Sequence, residues 1–327
     1  MSEQAAAAAE RPARVFRLLW LPLAFVLAAV PFVANDYVQF VVNTILVYCL
    51  VAVGFNVVLG YLGELAFASA AFFGIGAYGT GLAMAHLRLP YLPALAAGAV
   101  LAAAAGLLVS LPALRVRGYY LAIVTLAFGE LMRWVYVHGD PFTYGPSGFN
   151  VPPPAIFGIG VLDSDAKRYP LFVAVVVVGI AATRRILASR YGRAFVAVRD
   201  NPMAAASAGI PVARTKILAF VWSGLITGLG GGLYAVLNGR VTPDTFGLGQ
   251  MLLHFVIVMI GGLGSLTGSV IGAVLLTAAP EFLRNVPGIE EIVFSLLLIV
   301  VLLLMPRGIG GVLAAHVPAL HEKLYRR

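Results

Sequence analysis

Residues 184–216 read RRILASRYGRAFVAVRDNPMAAASAGIPVARTK, and this stretch interrupts a chain that is otherwise almost continuously apolar. We call it the charged segment, because it holds seven basic side chains and one acidic side chain. Asn201 is a good N-cap, Pro202 suits a first helical turn, and Gly209 followed by Ile-Pro is a stop signal. The pattern predicts a short, alanine-rich helix over residues 202–208 that lies outside the bilayer and is accessible to a partner protein.

The composition predicts an integral membrane protein. Of the 327 residues, 61% are hydrophobic and only 11% are charged, which is more apolar than the surface of a soluble domain allows. The net charge of +8 comes from basic residues that flank apolar spans, so we expect no nucleic-acid partner. The single cysteine, Cys49, excludes an internal disulfide. The sequence has no GxxxxGK[ST] phosphate loop, so any ATP must bind to another chain.

Apolar runs long enough to cross a hydrocarbon core of about 30 Å divide the chain into ten predicted spans. The first run follows a basic tail, but small residues do not sit cleanly at a cleavage site, so we expect it to be retained rather than removed as a signal sequence. We expect one transmembrane domain over residues 18–309, with tails at 1–17 and 310–327. The ten spans are 18–34, 37–59, 65–85, 91–114, 118–137, 169–183, 217–237, 248–260, 266–283 and 289–305.

Basic residues assign a direction to these spans. If the amino terminus lies inside, most of the 22 Lys and Arg residues fall in cytoplasmic connections, as membrane proteins prefer. Both termini and the charged segment are then expected in the cytoplasm. The loop 138–168 falls outside; it contains TYGPSGF and three consecutive prolines, which argue against continuous helix. It is either an ordered cap or docking surface, or a solvated linker.

Two glycine ladders at four-residue spacing predict flat strips on helix faces. Such strips let helices approach closely in lipid, where the hydrophobic effect does not drive association. They serve either as generic close packing or as surfaces on which helices slide during gating. The ladders are Gly224, Gly228 and Gly232, and Gly264, Gly268 and Gly272.

The stretch GYLGELAFASAAFFGIGAYG, residues 60–79, is rich in glycine. Each glycine weakens a helix interior by about 0.5–1 kcal/mol relative to alanine, so we expect an interruption near residues 60–63. Broken helices at membrane depth occur where they line a cavity. Glu64 and Ser69 are therefore candidate residues of a translocation path.

Ionisable residues inside the spans are further candidates. Glu130 and Arg133 are three residues apart and share a helix face, and Glu281 and Arg284 repeat that spacing. A charge at the bilayer centre costs about 2.5–3.5 kcal/mol on insertion scales, so each must pair or face water. Glu130 and Arg133 therefore form either a structural ion pair or part of the path.

Two more polar residues complete the list of path candidates. Thr125 shares a predicted span with Glu130, and His254 lies within LLHFV as an interhelical histidine or a ligand. No Cys, His or Asp cluster has metal-binding spacing in the sequence, and no nucleophile has an evident base partner. We therefore expect neither a metal site nor an enzymatic reaction in this chain.

Six stretches together resemble the LivM-like permease subunits of branched-chain amino-acid importers, a branch of the ABC transporter superfamily. The resemblance covers nearly the whole chain after the first span. Each motif is weak alone, and the set in this order is specific. The stretches are GYLGELAFASAAFFGIGAY (60–78), RVRGYYLAIVTLAFGEL (115–131), TYGPSGF (143–149), SRYGRAFVAVRDNPMAAASAGIPVARTKILAF (189–220), GGLGSLTGSVIGA (261–273) and PRG (306–308).

The resemblance implies that the charged segment contains the coupling helix, which sits in a groove of a cytoplasmic ATPase. This chain lacks the acidic residue that many relatives carry in the 203–209 stretch. It also has Glu64 where relatives usually have Gln, and Ala68 and Ser69 where they often have Gly-His, a departure that bears on substrate choice. The implied coupling residues are Arg193, Arg199, Asp200, Pro202, Ala205 and Gly209.

The resemblance also implies an assembly in the bacterial inner membrane. The expected fold is the all-α, ten-span, type II-like importer permease. Its expected partners are a second, LivH-like permease, two ATPase subunits that hold ATP and Mg²⁺, an extracytoplasmic binding protein and membrane lipid. No cofactor is expected in this chain. The alternative is a secondary transporter driven by an ion gradient, with Glu64, Glu130 and Glu281 as ion sites.

Overall fold

The computed structural model describes residues 35–116, 118–140, 142–156, 160–162 and 164–283. The predicted first and last spans, 18–34 and 289–305, lie outside these residues, as do both predicted tails. Arg284 lies outside them as well, so its predicted pairing with Glu281 stays a prediction.

Within the described residues the chain is a bundle of α-helices with a few two-residue strands. Eight of the ten predicted spans coincide with apolar helices, and five of these helices are long and apolar enough to cross a membrane, namely α1 with its last turn, α3, α4, α5 and α8. The helices are α1 (Asp36–Asn56), α2 (Ser69–Ala85), α3 (Tyr91–Arg115), α4 (Tyr119–His138), α5 (Asp165–Ala188), α6 (Arg190–Asp200), α7 (Pro202–Ser207), α8 (Val212–Asn238), α9 (Leu248–Gly261) and α10 (Leu266–Leu283).

The first described helix, α1, is interrupted near the glycines, as the sequence predicts. Its last turn widens into a π-helical turn, Val57–Tyr61. Gly63 then adopts a φ of +74°, a left-handed conformation that glycine takes without steric cost. Helix α2 begins at Ser69, four residues later than predicted. Residues 63–68, which we call the connecting segment, therefore cross between two helices without regular structure.

Helix α8 lies at the centre of the bundle and packs against α1, α2 and α3. Glycine allows this close approach. A Cβ atom at Gly76 of α2 would collide with the carbonyl oxygen of Gly228, and one at Gly231 would collide with the carbonyl oxygen of Phe73. Such backbone contacts let van der Waals packing hold the helices together where lipid is as apolar as the side chains.

The first glycine ladder lies in this contact. Gly224 and Gly228 face Ala102 of α3, and Gly232 faces Thr80 of α2 and Leu95 of α3. The predicted strip is therefore a packing surface in this conformation.

The second ladder is only partly a helix strip. Gly268 lies against Gly261 of α9, and Gly272 lies against Gly261 and Ile257. Gly264 precedes the first residue of α10 and has a φ of +73°. Its assignment to a helix face was wrong, because the positive φ that ends the turn between α9 and α10 is incompatible with α-helix.

The loop between α4 and α5 is ordered over its described residues. Strand β1 (Phe149–Asn150) pairs antiparallel with β4 (Arg240–Val241), which follows α8. A hairpin of β2 (Ala155–Ile156) and β3 (Gly160–Val161) follows β1. The loop therefore forms a cap that is joined to the α8–α9 connection, at the end of the bundle opposite to the charged segment.

Candidate functional site

The charged segment folds into two short helices, α6 and α7, at one end of the bundle. The Asn201 side chain accepts hydrogen bonds from Met203 N at 3.0 Å and Ala204 N at 3.1 Å, which caps α7. Gly209 has a φ of +81° and ends the helix. The prediction of a helix over 202–208 is confirmed to within one residue. Helix α6 was not predicted; its buried Phe195 and Val198 face the bundle.

The two faces of α7 differ in accessibility. Met203 is 76% exposed, whereas Ala205 is 4% exposed and faces the bundle. Arg193 and Gly209 are exposed, and Pro202 is half-buried. Of the candidate coupling residues, Ala205 is therefore turned away from any partner. The exposed face of α7 is formed by Met203, Ala204, Ala206 and Ser207.

Arg199 connects helix α6 to the interrupted end of α1. One guanidinium nitrogen donates to the carbonyl oxygen of Gly60 at 3.1 Å, which lies in the last turn of the helix, where carbonyl groups lack intrahelical partners. The alkyl part of the side chain lies against Gly63, where a Cβ atom would collide with it. A further nitrogen pairs with Asp200 at 3.3 Å. Arg199, one of the candidate coupling residues, thus lies beside the connecting segment.

Glu64 forms a buried ion pair with Lys216 on the first turns of α8. The Lys216 side chain is 3% exposed and that of Glu64 is 13% exposed. The Lys216 ammonium also donates to the carbonyl oxygen of Ala113 on α3 at 3.2 Å. This group joins the connecting segment, α8 and α3. The structure therefore places the Glu64 carboxylate against a cation of the same chain.

Asn56 joins the same end of α1 to the turn between α9 and α10. Its side-chain nitrogen donates to Ser269 Oγ at 2.6 Å and to Ser265 O at 3.0 Å. Its oxygen accepts from Gly264 N at 2.9 Å. Asn56 is fully buried, so these bonds satisfy a side chain that would otherwise be costly in an apolar interior.

Thr125, a predicted path residue, holds the connecting segment from the side of α4. Its hydroxyl oxygen accepts from Phe67 N at 2.7 Å, and its proton is donated to a carbonyl oxygen of the preceding turn, that of Leu121 at 2.9 Å or Ala122 at 3.0 Å. Thr125 is fully buried. The Phe67 ring meets Phe255 of α9 edge to face at 5.4 Å. In this conformation, Thr125 therefore fixes the backbone of the connecting segment at Phe67.

Ser69 and His254 belong to a chain of buried polar groups that crosses the bundle. Ser69 Oγ lies 3.3 Å from His254 Nδ1, and Gln250 Nε2 lies 2.9 Å from His254 Nε2. Gln250 also donates to Tyr48 OH at 3.1 Å. Both ring nitrogens of His254 thus have partners within the chain, which agrees with the interhelical interpretation of this residue.

Glu130 and Arg133 form the other ionic group. Arg133 Nε donates to the Glu130 carboxylate at 3.0 Å, and a second nitrogen lies 3.6 Å from Asp244. Their side chains are 43% and 41% exposed in this chain alone, and that of Asp244 is 88% exposed. Glu130 and Phe67 line the same shallow, mostly apolar crevice between α4 and the start of α9. This ionic group is exposed on the surface of the bundle, beside a crevice that begins at the connecting segment.

The structure separates the predicted path residues into two groups. Glu64, Thr125, Ser69 and His254 are held by contacts within the bundle, whereas Glu130 and Arg133 are accessible. Sequence reasoning missed the pairing of Lys216 and the roles of Asn56 and Gln250. A lone amide in the apolar run VAVGFNVVLG was the available signal for Asn56, because an unpaired amide would not be tolerated there.

Comparison with known proteins gives one family and several relatives. The family described as the permease component of the branched-chain amino acid transport system matches residues 37–306. LivM of Salmonella typhimurium is 30% identical over 316 residues, covering 90% of this chain and 74% of the relative. BraD of Pseudomonas aeruginosa is 29% identical over 84% of this chain and 96% of its own. LivH of Escherichia coli is 28% identical over 81% and 91%. No solved structure matches the chain.

Proposed function

The chain belongs to the family of branched-chain amino-acid transport permeases, and from that premise we propose how it works. It is a multi-pass membrane permease subunit of an ABC importer. We propose that it carries branched-chain or related amino acids or amides along a path built by its helices. We propose that ATP and Mg²⁺ bind to separate ATPase subunits rather than to this chain.

The arrangement of α6 and α7 carries the proposal. A short capped helix lies at one end of the bundle with one face exposed, and Arg199 next to it is bonded to the interrupted end of a spanning helix. A partner that binds the exposed face can therefore move a transmembrane element. We propose that the cytoplasmic ATPase binds this face through Met203 and the neighbouring small residues, with Arg193 at its edge.

We place the substrate path along the crevice between α4 and the start of α9. A free amino acid carries one positive and one negative group, and Arg133 with Glu130 and Asp244 offers both complementary charges at an accessible site. The crevice is lined by apolar residues, Leu126 and Met251 among them, but its volume of about 10 Å³ is that needed for a single water molecule. An aliphatic side chain would therefore enter it only after the surrounding helices move apart. In the assembled transporter, a second permease closes this side of the path.

The full topology of the proposal is that of a ten-span permease. Both termini and the charged segment lie in the cytoplasm, and the ordered cap faces outward, where an extracytoplasmic binding protein delivers substrate. The opposite placement of cap and charged segment in the bundle supports this arrangement. The second permease is a LivH-like chain, in keeping with the similarity of this chain to both LivM and LivH.

Reconstitution tests the proposal. The two permeases, the ATPases and the binding protein are placed in proteoliposomes, and uptake of labelled leucine, isoleucine and valine is followed with and without internal ATP. We expect uptake that requires ATP and survives ionophores that collapse ion gradients. Uptake that persists with inactive ATPase subunits and stops with the ionophores would instead establish the secondary transporter.

A further inference from the structure

The connecting segment, residues 63–68, is held by contacts from both sides of the coupling helix α7. Arg199 lies three residues before Pro202, donates a hydrogen bond to the carbonyl oxygen of Gly60 and packs its alkyl part against Gly63. Lys216 follows the end of α7 by nine residues and pairs with Glu64. Between these cations the chain makes α7 and its exit turn. Any displacement of α7 therefore acts on the same six-residue segment from two directions.

The connecting segment has the mechanical properties of a movable element. It has no regular helix or strand, so its residues do not share the cooperative hydrogen bonds of a spanning helix. The chain is anchored before the segment at Asn56 and after it at the Ser69–His254 contact, and within the segment a hydrogen bond joins Phe67 N to the Thr125 hydroxyl. Phe67 in its middle lines the crevice that also contains Glu130. Movement of the segment would therefore open or close one end of that crevice.

We infer that residues 63–68 are a gate segment of the path and that Arg199 and Lys216 are the positioning residues through which the coupling helix moves it. This inference rests on the proposed function. Arg199 acts through a backbone carbonyl oxygen and a glycine surface, so its contact can slide. Lys216 acts through a buried ion pair, whose partners separate only at a large cost in a low-dielectric interior. The ion pair therefore fixes Glu64 to α8 while Arg199 follows α6.

The first test measures coupling in the complete transporter, with both permeases, the ATPases and the binding protein in proteoliposomes. We expect Lys216→Gln and Arg199→Gln each to retain ATP hydrolysis but to lower the substrate moved per ATP by at least about fivefold, the low end of typical allosteric couplings. Arg214→Gln is the matched control, because Arg214 lies two residues from Lys216 on the same helix and is exposed. We expect it to keep the wild-type ratio.

The second test observes the gate directly and does not depend on a large loss of stability. Ala66 is buried in the connecting segment, and in a Cys49→Ala background the Ala66→Cys thiol reports its accessibility. We expect its labelling rate by a maleimide to differ at least about fivefold between the nucleotide-free and the ATP- and vanadate-trapped transporter. Arg199→Gln should remove this difference.

The outcomes separate the inference from the proposed function. Wild-type transporter without ATP-dependent uptake would refute the function itself. Wild-type uptake together with unchanged substrate per ATP in both variants would refute the gate alone. Equal labelling of Ala66→Cys in the two nucleotide states would refute it as well.

Discussion

Among the residues that the structure describes, two pairs of a glutamate and a cation lie in apolar surroundings, and they differ in almost every physical respect. Glu64 and Lys216 come from distant parts of the sequence and are 13% and 3% exposed. Glu130 and Arg133 are three residues apart on one helix and are 43% and 41% exposed. The first pair joins the connecting segment to α8, whereas the second joins neighbours that α4 already holds together.

The difference shows which charges maintain the fold and which remain available for function. A buried pair that joins two elements leaves an uncompensated charge in the interior if either partner is removed. A local, accessible pair contributes little to stability, so its presence within an apolar span points to a role in binding. The three predictions below test this contrast, from the largest expected effect to the smallest.

Removal of one member of the buried pair should have the largest effect. We expect Lys216→Met to lower the free energy of unfolding by about 3–5 kcal/mol, because Glu64 is then left charged and unpaired. Titration of the purified chain with sodium dodecyl sulfate, followed by circular dichroism, measures this change.

The matched control for this prediction removes both charges. The double variant Glu64→Gln with Lys216→Met should regain most of the lost stability, since neither partner is then an isolated buried charge. A single variant as stable as the wild type would contradict the burial of the pair.

Asn56 should have an intermediate effect. We expect Asn56→Ala to cost about 1–3 kcal/mol, because the buried Gly264 N–H loses its acceptor. Asn43→Ala, on the same helix, is the control. Asn43 is also buried and donates to Asp165 O at 3.2 Å, so its loss should cost about 0.5–1.5 kcal/mol, a typical single hydrogen bond.

The same unfolding titration compares the two asparagine variants. If Asn43→Ala costs as much as Asn56→Ala, the contacts of Asn56 do not tie α1 to the α9–α10 turn in the way described above.

Substitutions in the accessible pair should have the smallest effect on the free energy of unfolding, but they should alter the uptake kinetics. We expect Glu130→Gln and Arg133→Gln to shift the free energy of unfolding by no more than about 0.5 kcal/mol. The same variants should raise the substrate concentration for half-maximal uptake, because the proposed substrate path loses a charge. Unfolding titrations and uptake kinetics measure the two effects, and a large stability loss with normal kinetics would reverse the roles of the two pairs.

The helical elements could be predicted well from the sequence. The eight described spans, the interruption near Gly60 and the short helix after Asn201 all followed from local signals, namely apolar run length, glycine density and capping residues. The start of α2 and the presence of α6 did not. An amphipathic helix of eleven residues among charges is stabilised mainly by the contacts of its buried face, which local propensity does not reveal.

The candidate site was less predictable than the fold. Glu64 was expected in the path and Lys216 only as one basic residue among seven, yet the two are partners. Their separation of 152 positions leaves no local pattern for such a pair. The prediction that Gly264 lies on a helix face was wrong for the opposite reason. A local pattern was present, but the four-residue spacing that is typical of a helix face continued across a turn.

The sequence by itself determined that this is a membrane protein of helical spans with one short, capped helix in its charged segment, because hydrophobic run length and capping chemistry are properties of neighbouring residues. Only the tertiary structure decided which charges are partners and which face outward. Burial and long-range pairing depend on how α1, α3 and α8 approach one another, and that approach is set by glycine contacts between distant parts of the chain. The connection from Arg199 and Lys216 to the connecting segment emerged only at that level.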